Sequence, residues 1–154
     1  MIYDPKDAVK HIVHDYVYLV AAGTDTQRGN PHPFNHYAER TFLVHCRALA
    51  EFFGRERDVD PDDFTVAPFR YTLRAWTHWE PHIQMHLMHL MAGRTKPSIK
   101  PWTGTANAEL LKEFSNAWAA FIATLKDDLK RLFAQEIQKH KDGFKEHAAR
   151  EYQF

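Results

Sequence analysis

The residues best suited to chemistry are the histidines of one apolar segment, residues 79–94, with the sequence WEPHIQMHLMHLMAGR. No Asp, Glu, Lys or Arg occurs in residues 81–93, so a helix there is expected to be buried on most sides. At about 100° per residue, His82, His86 and His89 fall within an arc of roughly 60°. The pattern therefore predicts a line of imidazoles on an otherwise apolar helix.

Two of these histidines have a spacing that suits a metal ion. His82 and His86 are one helical turn apart, which fits zinc or iron. A third ligand would come from another helix, and His14, Glu39 and His45 are the candidates. Three-histidine sites on helical bundles resemble those of the DinB-like metalloproteins. The alternative is that the buried imidazoles bond to one another or to backbone carbonyls.

Three short motifs follow one another in residues 35–102. A His-x-Arg-x-Leu run begins at His45, an Asp-Asp-Phe loop begins at Asp62, and a His-Leu-x-x-x-Arg run extends from His89 to Arg94. In this order the motifs resemble those of an uncharacterised bacterial family of all-helical proteins. The resemblance implies an all-helical fold and carries over no activity. Arg94 would place a fixed positive charge at the helix end, suited to a carboxylate or phosphate.

Arg40 and His45 also have the Arg-x(4–6)-His spacing of HEPN-type domains, many of which cut RNA. The resemblance implies a histidine for proton transfer and an arginine for the phosphate charge. A step of five residues turns a helix by about 140°, so the two side chains need not converge within one chain. Cys46 and His45 do not form a catalytic pair, because neighbours on a helix point about 100° apart. Cys46 is predicted to be a core residue.

The charge balance limits the class of partner. Lys plus Arg equals Asp plus Glu, 20 of each, so bulk charge does not indicate binding to nucleic acid or to an anionic membrane. The single cysteine excludes an internal disulfide, and with no signal peptide it fits the reducing cytoplasm. Residues 16–23, the longest uncharged apolar segment near the start, are too short to span a bilayer. We expect a cytoplasmic protein with no membrane partner.

Local signals predict where the helices begin and end. Asp4 can cap a first helix, Pro5 suits its first position, and Gly23 is predicted to end it. A second helix is predicted over residues 36–53, closed by Gly54. The histidine-striped third helix begins at Thr77 or Pro81. A long fourth helix is predicted over residues 107–140, and Gly143 is predicted to break it, leaving residues 143–154 as a short helix or frayed tail.

Two side features complete the layout. His11, His14 and Tyr18 share one side of the first helix, which is interpreted as a solvated polar face. Residues 69–74 alternate in polarity without a partner strand and are predicted to be extended. The chain, residues 1–154, is therefore predicted to be a single all-α domain, a helical bundle of four main helices with a buried, histidine-striped third helix.

The leading functional interpretation is a binding or oligomerising module that associates with itself and has a His/Arg polar cluster inside the bundle. The cluster would contain the candidate catalytic residues and the candidate metal ligands. The catalytic candidates are His45, His89 and Arg94, and the metal ligands are His82 and His86. The alternatives are a metal-dependent hydrolase that uses a divalent ion such as zinc, and a HEPN-like ribonuclease. No protein partner is identified.

Overall fold

A computed structural model describes residues 3–56, 58–88 and 104–154, without the side chains of residues 85–88, and this part of the chain is mostly helical. Five α-helices and one short 3₁₀ helix lie in these ranges. They are α1 (Pro5–Thr26), α2 (Phe34–Phe53), the 3₁₀ helix (Pro61–Asp63), α3 (Arg74–Met88), α4 (Gly104–Ala123) and α5 (Asp127–Ala148). The all-α class is confirmed, and none of these helices is both long and apolar enough to cross a membrane.

The first helix begins as predicted but ends later. The Asp4 side chain accepts a hydrogen bond from the Lys6 amide at 2.9 Å, and Pro5 occupies the first helical position. The predicted end at Gly23 is wrong, because α1 continues to Thr26. A Cβ atom at Gly23 would lie 2.8 Å from the ring of Phe42 in α2. The glycine is therefore needed for the close approach of two antiparallel helices, and it does not end the helix.

The predicted long fourth helix is wrong, because two helices, α4 and α5, occupy its place. The chain breaks at residues 124–126, where it pairs with the segment that follows the 3₁₀ helix. The Val66 amide donates to the Thr124 carbonyl at 2.9 Å, and the Lys126 amide donates to the Phe64 carbonyl at 2.9 Å. Leu125 is buried at this break, so the apolar pattern continues through it and conceals it.

The predicted break at Gly143 is also wrong, because α5 extends to Ala148. The segment after α5 lies against α1. The Tyr152 hydroxyl donates to Asp25 Oδ2 at 3.0 Å, and the Arg150 guanidinium donates to Asp25 Oδ1 at 2.9 Å. The ring of Tyr152 also contacts Phe144 of α5, at 5.1 Å between centroids. These contacts fix the C-terminal end of α5 to α1.

The third helix begins at Arg74, earlier than either predicted start, and Pro81 lies inside it. Its first amides are capped by a carboxylate from another helix. Glu113 of α4 accepts hydrogen bonds from the Ala75 and Trp76 amides, both at 2.8 Å. A carboxylate in this place also complements the positive end of the helix dipole. Residues 69–73, predicted to be extended, lead into α3 without forming a strand.

The core is dominated by aromatic rings packed around Phe121, whose side chain has no exposed surface. The rings in contact with it lie 5.5–6.3 Å away between centroids and come from α2, α4, α5 and the segment between α2 and α3. They are Phe52, Phe53, Phe64, Phe69, Trp118 and Phe133. Cys46 is buried in the same core, as predicted. Burial, with a smaller contribution from the charge of Glu113, raises the pKa of its thiol and makes it unreactive.

Tyr3 joins the start of the chain to the 3₁₀ helix and supports a pH-dependent prediction. Its hydroxyl donates to Asp63 and accepts from the Asp60 amide at 3.1 Å. Burial first, and then the bond to Asp63, raise the pKa of Tyr3 to about 12. Tyr3→Phe should therefore cost about 1 kcal/mol of stability at neutral pH.

The stabilisation by the Tyr3 hydroxyl is present below pH about 10, the unfolded pKa, and is lost as pH rises towards about 12. The wild-type protein should therefore lose its advantage over Tyr3→Phe across this range. Urea unfolding of both proteins at several pH values measures the difference. A constant difference from pH 8 to 12 would contradict the prediction.

Candidate functional site

Three polar side chains meet where α1 packs against α2. His45 of α2 is turned towards α1, and its Nδ1 lies 2.9 Å from Oδ1 of Asp15. His14, the residue before Asp15, has its Nδ1 3.8 Å from the same oxygen. The side chains are 15% exposed at His45, 23% at Asp15 and 48% at His14. The group is thus half-buried, with one open side.

The apolar pattern of the two helices positions these residues. Val13, Tyr16 and Val17 of α1 are buried, which leaves His14 and Asp15 at the edge of the helix interface. Cys46 of α2 is fully buried, which leaves its neighbour His45 at the same edge. Because the helices are antiparallel, the two edges meet near residue 15.

Rings from a third helix close one side of this group. His14 stacks on Tyr18 with 4.4 Å between centroids, and its ring lies 5.5 Å from that of His45. His140 of α5 lies 5.9 Å from His14. We call His14, Asp15, Tyr18, His45 and His140 the three-helix cluster. The predicted solvated face of α1 is thus partly covered, because Tyr18 and His14 contact α5.

The pKa of His140 is lowered from its ordinary value by burial first and then by the nearby charge of His14. A lowered pKa favours the neutral imidazole, which can accept a proton. This is the form of histidine that a general base requires.

The cluster contains a group of potential metal ligands. One ligand atom from each of His14, Asp15 and His45 lies within 4.8 Å of the other two, and this is the only such group in the described ranges. Two atoms bound to one zinc ion at about 2.0–2.2 Å are roughly 3.4 Å apart in a tetrahedral site. The distances between the three ligand atoms therefore differ from those of a zinc-bound set by about an ångström.

A cleft between α1 and α5 opens beside this group. Its volume is about 580 Å³, and its walls include His14, Tyr18, His140, Gly143 and Phe144. We call it the α1/α5 cleft. His14 lines it, so a molecule in the cleft has access to one of the three potential metal ligands.

Of the residues predicted to form the polar cluster, only His45 and His82 have described side chains. His82 of α3 is half-buried against the ring of Trp79, and its buried Nδ1 has no hydrogen-bond partner among the described residues. The side chain of His86 and the whole of His89 and Arg94 lie outside the described residues. The predicted site on α3 therefore stays a prediction.

The other candidate residues have different partners. Glu39, a candidate third ligand, accepts a hydrogen bond from the buried Asn107 of α4 at 3.2 Å. Arg40 is exposed on α2, whereas His45 is turned towards α1. The ribonuclease interpretation, which needs Arg40 and His45 on one substrate, stays a prediction.

Sequence reasoning did not identify Asp15 or His140 as site residues. Asp15 stands between a histidine and a buried tyrosine, and nothing in its own neighbourhood marks it. Its role depends on the register of α1 against α2, which places it opposite His45. The available signal was the position of His14, Tyr18 and His45, each at the edge of an apolar stripe.

Comparisons of the chain with protein-family models, with curated proteins and with solved structures found no match. The resemblances to the bacterial helical family and to HEPN-type domains therefore stay predictions. Function is inferred below from the side chains of the three-helix cluster and the cleft beside it.

Proposed function

We propose that this protein binds a divalent metal ion of the zinc class at His14, Asp15 and His45 and acts as a metal-dependent hydrolase. The observation that carries the proposal is the convergence of these three ligand atoms, from two helices, within 4.8 Å. Two imidazoles and one carboxylate form the protein ligand set of many catalytic zinc sites, in which the fourth position holds water. A 2-His-1-carboxylate set also suits iron.

The hydrogen bond between His45 and Asp15 is compatible with this role. A ligand imidazole must be neutral, so metal binding would displace the proton that the two side chains share at 2.9 Å. The Asp15 carboxylate would offset part of the ion's charge. The half-exposed His14 gives the ion a route of entry. Without metal, the same pair would serve only to join α1 to α2.

The imidazole of His140 would serve as the base of the hydrolytic step, because its ring lies 5.9 Å from that of His14 on the wall of the same cleft. A bound divalent ion would lower the pKa of a water molecule to about 7 and polarise the bond to be cleaved. His140 would accept one proton of that water and then give it to the oxygen that leaves as the ester bond is hydrolysed. His140 lies beside His14 on the wall of the α1/α5 cleft, where this transfer is required.

Calorimetric titration of metal-free protein with zinc tests the proposal. We expect about one ion per chain, and at free zinc of 100 times the Kd a gain in stability of about 2.7 kcal/mol. The double variant His82→Ala, His86→Ala should bind zinc as the wild type does. Absence of binding in the wild type would reject the proposal. Loss of binding in the double variant would place the metal on α3 instead.

The ribonuclease alternative makes a different prediction for the same residue. RNA cleavage that persists in a chelator and disappears in His45→Ala would favour it, because that chemistry needs no metal. Zinc-dependent ester hydrolysis that disappears in the same variant would favour the metal site.

A second candidate is self-association, supported by an exposed apolar face of α2. Phe34, Tyr37 and Val44 are exposed by 65%, 61% and 54% and fall within an arc of roughly 80°. A second copy of the chain is the occupant we propose for this face. Sedimentation over a range of concentrations should show a dimer that Val44→Glu converts to a monomer. A wild-type protein that stays monomeric at all concentrations would reject this candidate.

A further inference from the structure

The α1/α5 cleft has the size and the lining of a small-molecule site. Its volume of about 580 Å³ lies within the range usual for such sites. The floor is apolar where the rings of Tyr18 and Phe144 lie 5.5 Å apart. Gly143 and Ala148 continue this floor along α5. A ring or short aliphatic chain can therefore be buried there.

The charged groups that line the cleft are mostly positive. Lys10 of α1 and Lys139 of α5 stand on the rim, and Glu136 is the acidic residue of the lining. Lys139 lies 4.0 Å from Glu136, but its side chain is 77% exposed, so water screens this pair. The imidazoles of His11 and His147 supply further hydrogen-bond groups. An anion is thus attracted to the rim.

Along α1 the cleft runs from Lys10 past His14 to Tyr18, so a positive charge and the apolar floor lie on either side of His14. The half-exposed His14 marks the position at which the proposed metal would bind an oxygen atom of a substrate. We infer that the α1/α5 cleft binds a small molecule with an oxyanion head and an apolar body, as substrate or product of the metal site. The inference rests on the proposed function for the role of the metal. The charge and apolar floor of the cleft do not depend on the metal.

Gly143 offers a way to fill the cleft without disturbing the core. A Cβ atom at this position would meet no other atom within 4 Å, so there is space for a side chain. Gly143 lies inside α5, where alanine is preferred to glycine. Gly143→Ala is thus a well-folded control, and Gly143→Trp should occupy the cleft.

Binding of three matched compounds tests the inference. Benzylphosphonate and phenylacetate carry an oxyanion on the same ring, and benzyl alcohol carries none. By calorimetry, at least one anion should bind the zinc-loaded wild type about tenfold more tightly than the alcohol. The stronger anion identifies the head group. Equal binding of all three compounds, or no binding of any, would overturn the inference.

The glycine variants locate the binding. Gly143→Trp should weaken binding of the anion about tenfold relative to Gly143→Ala, with unchanged zinc affinity and unchanged circular dichroism. Lys139→Met should weaken binding of the anion several-fold and leave binding of the alcohol unchanged. This variant keeps the test valid if Gly143→Trp fails to fold. Equal anion binding in Gly143→Trp and Gly143→Ala, or in Lys139→Met and the wild type, would overturn the inference.

The same measurements on metal-free protein separate the two proposals. Without metal, the anion should bind more weakly than with zinc but still more tightly than the alcohol, because Lys10 and Lys139 remain. A protein that binds no zinc yet prefers the anion would reject the metal site and retain the anion cleft. A protein that binds zinc without preferring the anion would reject the anion cleft alone.

Discussion

Replacing Phe121 with alanine is expected to lower the free energy of unfolding by about 3–5 kcal/mol. Phe121 has no exposed surface, and six aromatic rings surround it. Five of these rings belong to three other parts of the chain, so they cannot all collapse into the space that the side chain leaves. The remaining cavity adds its own cost to the lost burial.

Urea unfolding of the two proteins measures this effect. Val66→Ala is a suitable control, because that side chain is 72% exposed and its truncation should change stability by less than about 0.5 kcal/mol. Phe121→Leu keeps most of the volume and should fall between the two. A loss below about 1 kcal/mol in Phe121→Ala would mean that the core does not depend on this ring.

The second large effect is expected at the proposed metal site. His45→Ala should weaken zinc binding by at least about 100-fold, since even residues that only hydrogen-bond to the ligands commonly contribute 10–100-fold to metal affinity. The change removes one ligand and leaves Asp15 without its hydrogen-bond partner at 2.9 Å. Asp15→Asn keeps the shape of the side chain but removes its charge, and should also weaken binding.

His78→Ala is the matched control, because His78 is an exposed histidine of α3 outside the three-helix cluster. Its zinc affinity should equal that of the wild type. Titrations should be run beside thermal melts of the metal-free proteins, which separate loss of a ligand from loss of fold. Equal zinc affinity in His45→Ala, Asp15→Asn and the wild type would show that the ion binds elsewhere.

Those parts of the fold that depend on neighbours in sequence were predictable. The start of α1 at Asp4 and Pro5 follows from capping, and α2 ends before Gly54 as expected. The core position of Cys46 follows from helical periodicity. Each of these features requires information from only a few adjacent residues.

Several of the errors share a physical cause, since each of these depends on a distant partner. Position 23 inside α1 is a glycine because Phe42 occupies the space where a side chain would be. The cap of α3 comes from Glu113, which lies 38 residues from Ala75 and 37 residues from Trp76, the residues whose amides donate hydrogen bonds to it. A local search for a capping residue therefore placed the start of α3 too late.

The candidate site was predictable only in part. His14 and His45 were both candidate ligands, but as partners of the histidines on α3 rather than of each other. Their meeting depends on the register of α1 against α2, and that register is set by close contacts such as Gly23 with Phe42. Spacing within one helix carries no information about this register.

The attachment of α5 at both ends has a consequence for selectivity. One end is held where Lys126 bonds to Phe64, and the other where Arg150 and Tyr152 bond to Asp25. A helix held at both ends is restrained from moving outward to admit a wider molecule. We therefore expect the gap between α1 and α5 to keep its width and to favour thin molecules over thick ones. Shortening the chain before Arg150 would release one anchor and relax this preference.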